Sequence, residues 1–295
     1  MKFNADRCRS LLFVPAGNER YLKSALTGEA DVIQLDLEDA IPLAQKQDAR
    51  KAARDQVNRI HAAGRVGVVR INHDQQLQGM DLDAVVGPGL AGLTIPKVST
   101  AEQLQQLDEQ ISRLETNRQL PVGGIRLIAQ IESARGVLNA REIAGSTVRL
   151  VALGLGMEDL AVELGCEVNP DALYFPSLQT LYAAREARLT PLGFLGSITN
   201  YQDIDTLVEW IQRAKSLGFE GGFCIHPDQV VVLNAQFVPS AEEVSEAQAL
   251  VKAFEARPDP TAGAVSYQGR MVDKPVVECA ERLLRRSTSC LDSQF

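Results

Sequence analysis

Residues 31–39 read DVIQLDLED, and this stretch decides the fold. Side chains of a strand point alternately to opposite faces, so Gln34, Asp36 and Glu38 share one face while Ile33, Leu35 and Leu37 share the other. A face carrying an amide and two carboxylates does not lie under a layer of packed helices, because desolvating unpaired charge is too costly. It looks into a sheet that curves around it.

Seven further runs have the same β-rich character: SLLFVPA (10–16), RVGVVRIN (65–72), AGLTIPKV (91–98), IRLIAQIE (125–132), VRLVALGL (148–155), TPLGFLGS (190–197) and GGFCIHP (221–227). Most of the segments between them have helical patterns. Residues 42–64, PLAQKQDARKAARDQVNRIHAAG, put Pro42 near a helix start and Gly64 after its end. Alternating strand and helix imply a parallel sheet, and eight such units predict closure into a (β/α)8 TIM barrel, with a doubly wound open sheet as the competitor. The barrel is expected over 1–240. Residues 241–295 follow as a C-terminal helical extension, with RPDPTAG (257–263) as a linker inside it. Such an extension covers a pocket or reaches a neighbouring subunit.

Alternation applied to the other strands groups Val66, Val68, Arg70 and Asn72, then Leu93, Ile95 and Lys97, then Ile128, Gln130 and Glu132. In each group the polar members come last. Barrel active sites sit at the C-terminal strand ends, so Arg70, Lys97 and Glu132 are expected at one mouth. After the sixth strand, LGLGMEDLAVELG (153–165) puts Asp159 near a helix start. There it is either an acid favoured by the helix dipole or, with Glu132, one of two carboxylates forming a hard oxygen site for Mg2+. Gly154 and Gly156 would admit a ligand close to the backbone, and the spacing is not that of a dinucleotide-binding loop. His226 is a general base or a residue that locks the mouth through hydrogen bonds. His61 falls in a predicted helix and His73 in a loop.

The 295 residues are 45% hydrophobic and 23% charged, with a formal charge of −8. This is the composition of a globular chain with no basic block for nucleic acid or an anionic membrane surface. Cys8, Cys166, Cys224, Cys279 and Cys290 are scattered and odd in number, without metal-finger spacing, as expected of reduced thiols in a cytoplasmic protein. Neither a signal peptide nor a membrane-spanning stretch is read.

Taken in order, RSLLFVPAGNERYLKSA, DLEDAIPLAQKQDAR, VRIN, IPKV, IES, GMEDLAVELG and IHPDQV resemble the citrate lyase β-subunit-like CoA-ester lyases, a branch of the HpcH/HpaI aldolase superfamily of Mg2+-dependent barrels. The resemblance implies reversible carbon–carbon cleavage of a β-hydroxyacyl thioester. By position it makes Glu132 and Asp159 the metal ligands and Arg70 the arginine beside the reacting carbonyl. Glu38 and Asp39 match the family's acidic pair, assigned to metal-bound water or the hydrogen bonds around it, with Glu38 expected among the catalytic residues. Apart from what the resemblance implies, Arg70, Asn72, Lys97, Gly154 and Ser197 are the expected substrate contacts. GRMVDKP (269–275) resembles the family's C-terminal segment, which makes Asp273 an acid/base supplied by the neighbouring subunit of a homotrimer. TPLGFLGSITNYQDID (190–205) resembles a subgroup that includes standalone citramalyl-CoA lyases, where Ser197 and Thr199 either touch the substrate or stabilise the loop. Citramalyl-CoA is therefore the expected substrate and malyl-CoA the next. A citrate lyase subunit acting on an acyl-carrier thioester and a non-enzymatic CoA-binding module are the alternatives.

Overall fold

The computed structural model describes residues 8–257 and 263–291. These form two compact units divided between Phe237 and Val238. In chain order, the first contains β1 (Ser10–Pro15), α1 (Glu19–Thr27), β2 (Val32–Asp36), α2 (Lys46–Ala62), β3 (Val66–Arg70), α3 (Gln75–Val85) and β4 (Gly92–Ile95). It continues with α4 (Ala101–Asn117), β5 (Arg126–Ile131), α5 (Ala134–Leu138), α6 (Ala140–Ala144), β6 (Leu150–Leu155), α7 (Met157–Leu164), α8 (Pro170–Glu186), β7 (Thr190–Leu192), α9 (Ile204–Leu217), β8 (Gly222–Cys224) and α10 (Pro227–Phe237).

The eight strands are parallel and neighbour one another in chain order, and β1 pairs with β8 as well as β2. The last gap is spanned by a parallel bridge between Leu192 and Gly221. The sheet is thus a nearly closed (β/α)8 barrel and not an open doubly wound sheet. Local chemistry fixes the helix ends: Asn18 and Asp74 cap α1 and α3 with their side chains, and Asn169 caps α8 ahead of Pro170.

Two apolar layers flank the strands. Outward-facing Leu35, Val69, Leu93, Leu127 and Leu153 pack under the helices. Inward-facing Leu11, Val32, Val68, Ile128, Ala152, Leu192 and Phe223 fill the lower interior. Above that plug the interior turns polar, beginning with Gln34, whose Oε1 accepts a hydrogen bond from Thr94 Oγ1 at 2.5 Å.

Two expectations are corrected here. Leu93 and Ile95 face the helices, and Gly92 and Thr94 take the inner positions, so the grouping of β4 is inverted. The predicted seventh strand, 190–197, ends at Leu192, because Gly193 adopts φ +148° and leaves the extended path.

At the start of β6, Arg149 is a fully buried cation. It donates to both carboxylate oxygens of Glu115 at 3.0 and 2.6 Å, and also to Asp108, Ser112 Oγ and the Ile125 carbonyl. Pairing of this completeness is what makes a buried guanidinium tolerable.

The second unit holds α11 (Ala241–Glu255), a hairpin of β9 (Ala264–Tyr267) and β10 (Arg270–Asp273), and α12 (Lys274–Leu291). Gln268 and Gly269 turn the hairpin with φ of 48° and 77°, the two-residue left-handed geometry that matches strand twist. The Asp273 carboxylate accepts from the Val276 N–H at 3.3 Å and so caps α12. Residues 258–262 of the predicted linker lie outside the described residues.

Candidate active site at the barrel mouth

Asp36, the last residue of β2, accepts two parallel hydrogen bonds from Arg70 at the end of β3, Nε to Oδ1 at 2.8 Å and Nη2 to Oδ2 at 2.7 Å. This fork-to-fork contact fixes the guanidinium plane. Phe13 of β1 lies beneath it, with the Arg70 Cζ 4.6 Å from the ring centroid. Burial works against the charge, but the Asp36 hydrogen bonds together with the charges of Asp36, Glu38 and Asp39 outweigh it and hold Arg70 firmly protonated.

Glu38 is 6% exposed. Its Oε1 accepts from Lys97 Nζ at 3.1 Å, and its Oε2 lies 3.2 Å from Arg70 Nη1, off the line of the N–H bonds and without a hydrogen bond. Burial and the neighbouring Asp39 raise its pKa, opposed by Arg70 and Lys97. Lys97 reaches this cluster although it lies beyond the end of β4. Its φ of 53° breaks the strand alternation and turns the side chain toward Glu38, Asp39 at 3.6 Å and Asp159 at 4.0 Å.

Glu132 follows β5 and is 4% exposed, and among the described residues its Oε2 has no hydrogen-bond donor. Burial, then the charges of Glu38 and Asp159, push its pKa up to about 8, with Arg70 and Lys97 pulling the other way. Gly156 makes the space it occupies: a Cβ there would lie 2.7 Å from Glu132 Oε1 and 2.8 Å from Cδ. Asp159, in the first turn of α7, is half exposed at the same mouth.

Arg70, Glu132, Gly156 and Asp159 line a cavity of about 1030 Å3 whose apolar wall includes Phe13 and Met157. Around it the carboxylates of Asp36, Glu38, Asp39, Glu132, Glu158 and Asp159 outnumber the cations of Arg20, Arg70 and Lys97. A buried carboxylate oxygen without a donor, in a region of excess negative charge, suits a hard cation. Among the described residues no group of three or more His, Cys, Asp or Glu stands in metal-binding geometry. The donor set here is two carboxylates, Glu132 and Asp159, which leaves the other positions on a cation to water and substrate oxygens.

Other expected contacts are used differently. The Asn72 amide donates to Asp81 Oδ2 at 2.6 Å and to the Leu37 carbonyl at 3.0 Å, so it braces strand ends instead of facing the cavity. Gly154 accommodates the Phe223 ring, which would lie 2.7 Å from a Cβ at that position. Ser197 donates to Glu158 Oε1 at 2.9 Å and shares a hydrogen bond with Thr199, the arrangement of a stabilised loop; from the same loop Gly193, Phe194, Ile198, Thr199 and Tyr201 line the cavity wall. His226 Nδ1 accepts from the Asp228 N–H at 3.3 Å and the ring stacks on Tyr201 with centroids 4.6 Å apart, in keeping with the locking alternative.

Asp36 and Phe13 carry no role in the reading of the sequence. Alternation already puts Asp36 beside Glu38 on the inner face, which is the signal that singles it out. Phe13 has none, since an aromatic in a strand is ordinarily core.

The model for the HpcH/HpaI aldolase/citrate lyase family matches residues 9–227. A citrate lyase subunit beta of Leuconostoc mesenteroides subsp. cremoris is 34% identical over 280 residues, covering 94% of this chain and 92% of the relative. A (3S)-malyl-CoA thioesterase of Cereibacter sphaeroides is 32% identical over 293 residues, 97% of each. Among solved structures, CitE of Mycobacterium tuberculosis in complex with magnesium, acetoacetate and coenzyme A superposes with a TM-score of 0.72 at 32% identity, covering 95% of this chain and 97% of that one.

Proposed function

The chain belongs to the HpcH/HpaI aldolase/citrate lyase family, and on that premise we propose that it is a Mg2+-dependent lyase that splits a β-hydroxyacyl-CoA into a 2-oxo acid and acetyl-CoA. Citramalyl-CoA, which yields pyruvate, is the first substrate; malyl-CoA, which yields glyoxylate, is the second. The observation that carries this reading is the pairing of Glu132, with its buried oxygen lacking a donor, and Asp159 at a cavity that also presents a fixed arginine. The solved relative with magnesium and coenzyme A supports the same cation and thioester.

Glu132 and Asp159 would hold the Mg2+, which when bound would supply Lewis acidity toward a substrate oxygen. Arg70, locked by Asp36, offers a permanent positive charge where negative charge develops on a substrate oxygen, with no reorganisation at the moment of reaction. Glu38 keeps Lys97 turned toward Asp159. In cleavage the bond between the carbinol carbon and the thioester's α-carbon breaks, the hydroxyl loses its proton, and the α-carbon gains one. Asp273 of a neighbouring subunit in a homotrimer donates that proton, and in condensation it removes a proton from the acetyl methyl group.

Release of 2-oxo acid from citramalyl-CoA and malyl-CoA, with Mg2+ and with EDTA, tests this reading. Mg2+-dependent release from either thioester is expected; no release from both refutes it. The 34% identity to citrate lyase β subunits favours one second reading, action on a thioester borne by an acyl-carrier protein. Cleavage of the carrier thioester alone would establish it.

A further inference from the structure

The motif KQDAR (46–50) has no part in the chemistry above, yet its first residue is a lysine only 8% exposed. Lys46 opens α2 and turns back toward β2. Its Nζ donates to the carbonyls of Leu37 and Glu38, each at 2.8 Å. Four residues on, Arg50 Nε donates to Asp81 Oδ1 at 2.6 Å, and Asp81 Oδ2 accepts from Asn72, whose amide returns to the Leu37 carbonyl. One face of α2 therefore ties together the ends of β2 and β3 from behind the cavity.

Glu38 stands where that brace meets the site. Its N–H donates to Asp36 Oδ1 at 2.9 Å and its carbonyl accepts from Lys46, so the backbone is gripped on both sides and the carboxylate has little freedom except toward Lys97 and Arg70. Asp36 is also the residue that orients Arg70, and so the turn that Lys46 holds governs two groups of the site. A neutral donor at this position would satisfy carbonyls too. The ammonium in addition sets a positive charge among the carboxylates of Asp81, Asp36, Glu38 and Asp39, which would otherwise repel one another.

Resting on the function proposed above, we propose that Lys46 is a positioning residue: it fixes the backbone of the Glu38–Asp39 turn and thereby aims the Glu38 carboxylate at Lys97 and Arg70. Groups that orient catalytic side chains from behind are commonly worth about 10- to 100-fold in activity.

The test is a double-mutant cycle of K46M and E38Q in the full-length protein, followed by 2-oxo acid release well below the unfolding temperature. K46M is expected to lower kcat by about 10- to 100-fold with KM changed less than about threefold, and to add less than about twofold in the E38Q background. Lys46→Arg, which keeps the charge and donors, should recover part of the loss. A K46M effect that multiplies fully with that of E38Q, or an unchanged kcat, overturns the proposal. Should K46M fail to fold, K46Q enters the same cycle. A crystal structure of the variant gives a readout independent of turnover: loss of the 3.1 Å contact between Glu38 and Lys97 is expected, and its survival is contrary to the proposal. An inactive wild type would sink the lyase reading alone, because the structural readout still stands.

Discussion

Glu132 lies against Gly156 so closely that a single methyl group at 156 would come within 2.7 Å of its carboxylate oxygen. Gly156 has φ −89° and ψ 100°, a conformation open to any residue, so the glycine is required by space and not by backbone. G156A is therefore a probe of where Glu132 points. Mg2+ affinity by calorimetry and 2-oxo acid release should both fall by about tenfold or more, with a smaller change in Tm. G79A, with nothing within 4 Å of the added methyl, is the matched control and should leave both unchanged.

Glu132 also gives the cation-free protein a pH signature. Its pKa of about 8 lies above that of the unfolded chain, about 4.3. The fold thus holds a proton that the unfolded state releases. The stability this contributes is complete below the unfolded value and is lost as pH rises through about 8. In EDTA, the Tm of the wild type should decline between pH 6 and 9 more steeply than that of E132Q. Parallel curves would mean that Glu132 is already ionised at pH 6.

The buried Arg149 cluster makes the opposite prediction, stability without chemistry. R149M leaves Glu115, itself fully buried, without its cation. Breaking one side of a buried pair costs about 3–5 kcal/mol, a Tm loss of roughly 6–20 °C. Below that transition kcat should match the wild type, and a substantial fall would tie this cluster to the site.

Asp273 separates acid/base chemistry from helix capping. Asn retains an oxygen to accept from the Val276 N–H but carries no titratable proton, so D273N should unfold near the wild-type temperature. Turnover should fall by about 100-fold, as for removal of a general acid, while Mg2+ titration is unchanged. Wild-type turnover in D273N would remove Asp273 from the reaction.

The polar face of β2 and the ends of β3 and β5 were legible because alternation is a rigid property of strands and charged residues on an inner face have few places to go. Lys97 reaches the site by a path that alternation does not predict: the pattern puts it beside Leu93 and Ile95, whereas the chain inverts β4 and recovers Lys97 through a left-handed backbone that no pattern announces. Asn72 reads as a substrate contact, but both N–H donors of its amide go to Asp81 and Leu37, partners set by tertiary packing. Arg149 reads as an ordinary strand-leading arginine. Its burial depends on Asp108 and Glu115, which lie more than thirty residues earlier in the chain.

The barrel is stitched unevenly. Five residue pairs register β1 on β2 and five β2 on β3, whereas β7 and β8 share one bridge. A ring with one light seam opens there first, and amide hydrogen exchange should find Gly193 and Gly221 among the fastest strand-end amides of the sheet. The loop that carries Ile198 and Thr199 to the cavity wall leaves from that seam, opposite in character to the densely bonded strands that carry Arg70 and Glu132. Charge is thus held on the stiff arc of the ring and shape on the compliant one, an arrangement that lets the contour of the cavity wall drift without disturbing the carboxylates.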